Sequence, residues 1–254
     1  MRVFRGFDDL PRFVHGVATV GSFDGVHRGH FALLSRVCEM AKQTGGESIV
    51  FTFDPHPRIT LGKAEGLRLL DSTAEKLLHL EQAGIDNVVF IPFTEAFSRL
   101  TAEEFISDYI VGRGGVKSLV VGYNHRFGCD RKGDFAFLSA MGLEVVEVGR
   151  LEAEGDKVSS TVIRKSVASG DLTTAWRLLG HPYMVSGELS ADGELLISER
   201  EYKLLPPAGE YNARVDDDCE FHLTVADDGT VSIDYRLPES GNGENVFVEI
   251  LGKR

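Results

Sequence analysis

The stretch VGSFDGVHRGHFALL (residues 20–34) passes from apolar and β-branched residues, through a run holding three glycines, to a helical pattern. Around it, VATVGSF (17–23) predicts a buried strand and HFALLSRVCEMAKQTG (30–45) an amphipathic helix starting near Gly29 and ended by Gly45 and Gly46. The residues between them form a strand-to-helix turn, in which Gly21 and Gly25 permit a sharp bend and close approach to a ligand. A helix N-terminus presents unpaired N–H groups and partial positive charge, which suits phosphate. His27 and His30 project into the same anion site. An imidazole with an ordinary pKa of roughly 6.5 donates to a phosphate oxygen, more strongly when protonated. The spacing therefore fits stabilisation of charge at a phosphorus centre. Two other readings stand beside this one. Zinc ligation would need a thiolate or third ligand, which the neighbouring sequence does not offer. Capping or core packing would explain either histidine alone, but poorly explains both together with Asp24 and the glycines. Neither GxGxxG nor GK[ST] is present, which sets aside the dinucleotide fingerprint and the Walker A loop.

The same grammar continues outward. SIVFTF (48–53), NVVFIPF (87–93), VKSLVVGY (116–123) and LEVVEVG (143–149) read as strands. Between them lie the helical patterns STAEKLLHLEQAG (72–84), TAEEFISDYIV (101–111, with a Thr101/Glu104 capping box) and FAFLSAMG (135–142). STVIRKSVASG (160–170) and DLTTAWRLLG (171–180) follow as helices. The expected fold class is α/β, a parallel sheet covered on both faces, with ligands beyond the strands' carboxyl ends where strand order reverses. After Pro182 the period changes to two around turns such as ADG and DDG. A small antiparallel sheet or barrel of five to six strands is expected there, which divides the chain into domains at 1–182 and 183–254. Asp216, Asp217, Asp218, Asp227 and Asp228 fall in its hairpin turns, where aspartate bonds its own backbone, and are read as solvated turn residues rather than as a metal site.

The net charge is −12, and from His181 onward sixteen acidic residues face six basic ones. That balance argues against sequence-independent binding to nucleic acid or an anionic membrane, while leaving room for a local anion pocket. The sequence shows neither a signal-peptide-like nor a transmembrane-like apolar run. Cys38, Cys129 and Cys219 lack CxxC spacing, and free thiols in a reducing cytoplasm are expected. A homo-oligomer is left open.

GSFDGVHRGH (21–30) resembles the HxGH signature of the nucleotidylyltransferase superfamily, and FDGVHRGH resembles its FAD synthetase branch, found in prokaryotic bifunctional riboflavin kinase/FMN adenylyltransferases. FTFDPHPR (51–58), VVGYNHRFG (120–128) with RKGD (131–134), and VSSTVIR (158–164) followed by GDLTTAWRLLGHPY (170–183) are similar to the same family, in order, over residues 15 to 186. The resemblance implies a Rossmann-like sheet and transfer of AMP from ATP to FMN, giving FAD and pyrophosphate. An FMN phosphate oxygen attacks the α-phosphorus directly, so catalysis is mainly positioning and charge neutralisation.

It implies catalytic roles for His27, His30 and Arg164, and ATP binding by Gly21, Ser22, Phe23, Gly29, Asn124, Ser159, Ser160, Thr161 and Arg164. Asp54, His56, Arg58, Asn124 and Arg126 are implied at FMN, and Phe127 less so, because core packing explains it. The family often carries Asp at the position of Asn124; the amide still suits adenine or ribose but brings no charge for magnesium. Mg²⁺ is implied with ATP, and no protein ligand is assigned to it. The bland readings are ordinary ones: Ser159, Ser160 and Thr161 are good N-caps, Arg164 alone would be a surface arginine, and Pro55 and Pro57 stiffen a loop.

The resemblance weakens in the second half. The family's kinase barrel opens with a GxxxGRxxGFPTAN-like segment, and SADGELLISEREYKLLPPAGEYNARV (190–215) holds no PTAN run. LLPPAGEYNARV and VFVEILGKR resemble later barrel strands. A reduced barrel without riboflavin kinase activity is expected. Two further readings remain: a transferase with another acceptor, such as phosphopantetheine or a phosphocholine-like compound, and a catalytically silent flavin or nucleotide sensor.

Overall fold

The parallel sheet begins earlier than the sequence suggests. In a computed structural model, which describes residues 1–123, 125–150, 152–153, 156–190, 192–215, 219–234 and 245–254, Arg2–Arg5 form β1, paired parallel to β4 (Asn87–Pro92). Only Val3 and Phe4 of this strand are apolar, too few for periodicity to reveal it. β2 (Val17–Val20), β3 (Ser48–Asp54), β5 (Ser118–Gly122) and β6 (Glu144–Val148) complete six parallel strands in the order β1-β4-β3-β2-β5-β6. β3 and β4 centre on the apolar runs 49–51 and 88–91 and are buried over five residues each, as strands covered on both faces must be. Strand order reverses between β2 and β5, so the carboxyl end of β2 opens at the switch point. β2 stops at Val20 rather than Phe23, because the chain turns at residues 21–27 to enter α1 (Arg28–Thr44).

Shorter helices join the strands: α2 (Pro57–Thr60), α3 (Thr73–Gln82), α4 (Glu95–Ser98), α5 (Ala102–Glu104) and α6 (Phe135–Ala140). The Thr101/Glu104 capping box forms with both of its bonds. Beyond it, however, Phe105–Arg113 wind as a π-helix. Nine residues are too few for apolar spacing to separate that winding from an α-helix; Phe105, Ile106 and Ile110 are buried in it.

By contact the chain divides into two units, the first Met1–Phe23, Gly29–Leu67 and Leu80–Leu151, the second Asp24–Arg28, Arg68–His79 and Glu152–Arg254. This division does not follow the linear boundary at residue 182. The first unit is the parallel sheet, with a core that includes Ile49, Phe51, Val89, Ile91, Ile106, Ile110 and Leu138. The second contains a closed antiparallel barrel ordered β10-β13-β12-β11-β14-β9. Its strands are β9 (Tyr183–Leu189), β10 (Glu194–Ile197), β11 (Gly209–Val215), β12 (Cys219–Val225), β13 (Val231–Ile233) and β14 (Asn245–Lys253), while β7 (Glu152–Ala153) and β8 (Asp156–Lys157) form a separate two-residue hairpin. Ile163 and Val167 of α7 (Ser160–Ala168) share the barrel's core, as do Leu172, Ala175, Leu178 and Leu179 of α8 (Leu172–Leu179). Each leucine so buried contributes roughly 1.5–3 kcal/mol, which is why these helices cluster with the barrel. Asp227 and Asp228 lie at a turn; Asp216, Asp217 and Asp218 lie outside the described residues, as does Asn124. No helix among the described residues is long and apolar enough to cross a membrane.

Candidate active site

The turn after β2 is held in an unusual backbone shape. Phe23, Gly25 and Val26 all have positive φ, at +46°, +84° and +25°, a region that a β-branched residue enters only when its surroundings force it. A Cβ on Gly25 would sit 2.6 Å from Leu70 Cδ1. Glycine is therefore required there twice, for φ and for space.

Within the second unit, Asp24 is the hub. It is 2% exposed. Its Oδ1 accepts from the backbone N–H of Leu70 at 2.8 Å and of Asp71 at 3.3 Å, and its Oδ2 accepts from Arg164 Nη2 at 2.7 Å. Its carbonyl accepts from Ser160 Oγ at 2.9 Å. The partner segment reciprocates: Gly25 N–H donates to Asp71 Oδ2 at 3.0 Å. Arg164 thus stands on the first turns of α7 with one edge of its guanidinium fixed, and its buried Nε has no partner among the described residues. Ser159 caps α7 by accepting from Val162 N–H, and Thr161 is exposed.

His27 is buried close to Asp24, Arg164 and His181. Burial pushes its pKa down to about 4; Asp24 acts in the opposite sense, and His181 and Arg164 add to the fall. Burial thus favours a neutral imidazole at neutral pH rather than the protonated donor considered from sequence. His181 stacks on His79 at 4.0 Å between ring centroids, and burial, followed by His79, lowers its pKa. Asp71 is raised to about 7 by burial, against the pull of Lys203 and with Glu75 and Asp24 adding to the rise. Asp24, Asp71 and His181 carried no assigned role from sequence. For Asp24 the sequence signalled only its place in the glycine turn before His27, not its partners.

Within the first unit, the ring of His30 lies 5.1 Å from that of Phe23, beside Gly21 and Ser22, while Gly29 sits in the first turn of α1. Asp54 is paired with Arg5 at 2.9 Å. The segment after it is not wholly a loop: Pro57 opens α2, and His56 caps it, Nδ1 accepting from Arg58 N–H at 3.2 Å. Pro at the first helical position costs no hydrogen bond, so the stiffening prolines start a helix. Arg58 and Arg126 are exposed. Near these residues lies a cavity of about 400 Å³ with Phe53, Leu61, Phe93, Phe97, Phe105 and Phe127 on its wall, joined by Lys63 and Arg131. Its phenylalanines pack edge to face in an unbroken series, Phe53–Phe93–Phe97–Phe105–Phe127, with centroids 5.3–5.7 Å apart. FTFDPHPR and GYNHRFG both reach this wall, but through Phe53 and Phe127 rather than through the polar residues singled out from sequence. Arg126 instead lines a neighbouring cavity with His125 and Asp134.

The family model described as FAD synthetase matches residues 12–162, more than half of the chain. The chain belongs to the FAD synthetase family. Among curated relatives, the bifunctional riboflavin kinase/FMN adenylyltransferase of Escherichia coli K12 is 36% identical over 201 residues, covering 77% of this chain and 64% of that one. The protein of the same description from Pseudomonas fluorescens is 34% identical over 259 residues, 93% of this chain and 83% of that one. The chain thus spans just under two thirds of the Escherichia coli protein. A solved structure described as a macrolide-efflux protein from Streptococcus pneumoniae matches with TM-score 0.83 and 25% identity, over 100% of this chain and 90% of that one.

Proposed function

We propose that the protein is an FMN adenylyltransferase: an oxygen of the FMN phosphate attacks the α-phosphorus of ATP, the bond to the β-phosphate breaks, and pyrophosphate leaves. The observation that carries this reading is the pair of buried Asp24 with half-buried Arg164, which presents a guanidinium with an unpartnered Nε next to His27 at a glycine turn. Such a pair of donors holds phosphate oxygens and meets the charge that develops on them. His30, Gly21, Ser22, Phe23, Gly29, Ser159, Ser160 and Thr161 take the nucleotide in this reading, with Asn124. Asp54, His56, Arg58, Asn124 and Arg126 remain assigned to FMN, and the cavity lined by Phe53 and Phe127 of the same motifs offers an aromatic wall for a fused ring, with Lys63 and Arg131 for its phosphate.

Mg²⁺ fits the reaction as a counter-ion to ATP. Asp24 and Asp71 are already occupied by backbone N–H groups and Arg164, and the described residues hold no cluster of three or more acidic, cysteine or histidine side chains suited to a metal. The ion would rest chiefly on phosphates and water. Residues 1–182 supply adenylyl transfer and residues 183–254 a reduced barrel without riboflavin kinase activity, consistent with a chain that has no PTAN run between β9 and β11. The cytoplasm, which supplies ATP and keeps thiols reduced, is the compartment proposed.

The test is a pair of product assays by chromatography with ATP and Mg²⁺, one offering FMN and one riboflavin. FAD from FMN and no product from riboflavin are expected. FMN or FAD from riboflavin would overturn the loss of kinase activity, and no FAD from FMN would overturn the transferase.

A further inference from the structure

The barrel holds a charge where a barrel has no ordinary use for one. Lys203, on the segment between β10 and β11, is buried with its Nζ 2.5 Å from Glu75 Oε2, and neither side chain is exposed at all. The ammonium has three acceptors: Glu75, the carbonyl of Met184 at 2.8 Å, and the carbonyl of Leu70. It also lies 4.6 Å above the ring centroid of Tyr183, whose hydroxyl donates to Leu204 O at 2.6 Å. The backbone follows the side chain. Leu69 N–H donates to Tyr202 O at 2.7 Å and Leu204 N–H to Leu69 O at 2.9 Å. Glu75 also accepts from Ser72 N–H at 2.9 Å, and Ser72 Oγ lies 3.0 Å from Ser186 Oγ.

Leu70 is therefore gripped at both ends of one residue. Its carbonyl is held by Lys203, and its N–H is given to Asp24, which holds Arg164. We propose that Lys203 is a positioning residue for adenylyl transfer: through Glu75 and the carbonyl of Leu70 it fixes the residue 69–75 segment, which sets Asp24 and hence the guanidinium of Arg164. It sits in the part of the chain where the PTAN run is missing, and in this reading that segment supports the transferase site. A buried ion pair is a costly way to gain stability alone, since an apolar pair of equal volume often does as well. What it adds is a fixed direction for each of three acceptors.

This inference rests on the adenylyl-transfer reading, and two variants separate them. Lys203→Met/Glu75→Gln removes both charges while leaving an acceptor for Ser72 N–H, and Glu75→Gln alone leaves the lysine in place. For the double variant a cooperative thermal transition, an FMN KM within about twofold of the parent and a kcat at least about tenfold lower are expected, as for a small displacement of a catalytic group; Glu75→Gln should lose several-fold. The affinity for ATP, read by calorimetry, should weaken in the double variant, and the same substitutions in an Arg164→Ala background should leave it unchanged. Parent kcat and ATP affinity in folded variants would overturn the positioning role. Should the double variant not fold, Lys203→Arg, which keeps the buried charge but redirects its donors away from the Leu70 carbonyl, decides in the same way. If the parent binds ATP but makes no FAD, the acceptor reading fails, and ATP affinity alone decides the role of Lys203; a parent that binds no ATP overturns both.

Discussion

Arg164 Nη2 and Asp24 Oδ2 stand 2.7 Å apart, and Asp24 spends its other oxygen on the backbone of residues 70 and 71. The aspartate is therefore held by the backbone and in turn holds the arginine. Asp24→Ala would strand Arg164 and two backbone donors, so a loss of about 2–4 kcal/mol in urea unfolding is expected together with loss of turnover. Arg164→Lys keeps a positive charge but loses the planar fork, and should lower kcat far more than it shifts the melting temperature. Equal activity in Arg164→Lys would remove the arginine from the transition state.

His27→Gln tests the neutral donor. Removing one such donor costs about 10²–10³ in kcat where it meets developing charge. The same variant has a signature in stability. In the parent, His27 is held near pKa 4 when folded and rises to its ordinary value when unfolded. Its favourable contribution is thus complete above about pH 6.5 and is lost as pH falls towards 4. Across that window the parent should lose up to about 3 kcal/mol relative to His27→Gln, read from denaturation curves at several pH values.

Asp71 works in the other direction. Its carboxyl, raised to about 7 by burial, stays protonated in the folded chain at pH values where the unfolded chain has already ionised. Its contribution is complete at low pH and is lost as pH rises towards 7, so Asp71→Asn should flatten the stability profile over pH 4 to 7. An unchanged profile would mean that the carboxyl ionises freely.

Gly25→Ala places a methyl group against Leu70 at φ +84°. A cost of about 1–2 kcal/mol from backbone strain alone is expected, with a larger fractional loss in kcat because the turn bearing His27 moves. Gly45→Ala is the control: φ is +62° but the space is open, and only stability should change.

The phenylalanine series makes a separate prediction. Phe127→Ala opens one end of the cavity, and a rise of about tenfold or more in the KM for FMN with a smaller change in kcat is expected from loss of aromatic contact. An unchanged KM would place the acceptor elsewhere.

The sheet was legible because β3 and β4 centre on unbroken apolar stretches bounded by turn and helix signals, the barrel because its strands alternate in period two around turns, and the HxGH turn because glycines and histidines are so dense there. β1 was hidden by its two arginines, and the π-winding of Phe105–Arg113 by a spacing that an α-helix shares. The carboxylate Asp24 was visible but mute: its role depends on residues 70, 71 and 164, brought to it by the fold. Lys203 and Glu75, 128 positions apart, could not have been paired by any local pattern. The cavity was half legible, since the motifs pointed to the right segments while their apolar neighbours form the wall.

The closure of the barrel carries a consequence for the order of events during synthesis. β9 leaves its far edge to β14, so residues 183–189 must wait for residues 245–253 before their ladder exists. Until then the hydrophobic faces of α7 and α8 have only part of their core. On the ribosome, the core that α7, the helix bearing Arg164, shares with the barrel is therefore completed only when β14 has emerged. A nascent chain halted before β14 would carry every residue of the HxGH motif while α7 and α8 still lacked the β14 side of their core.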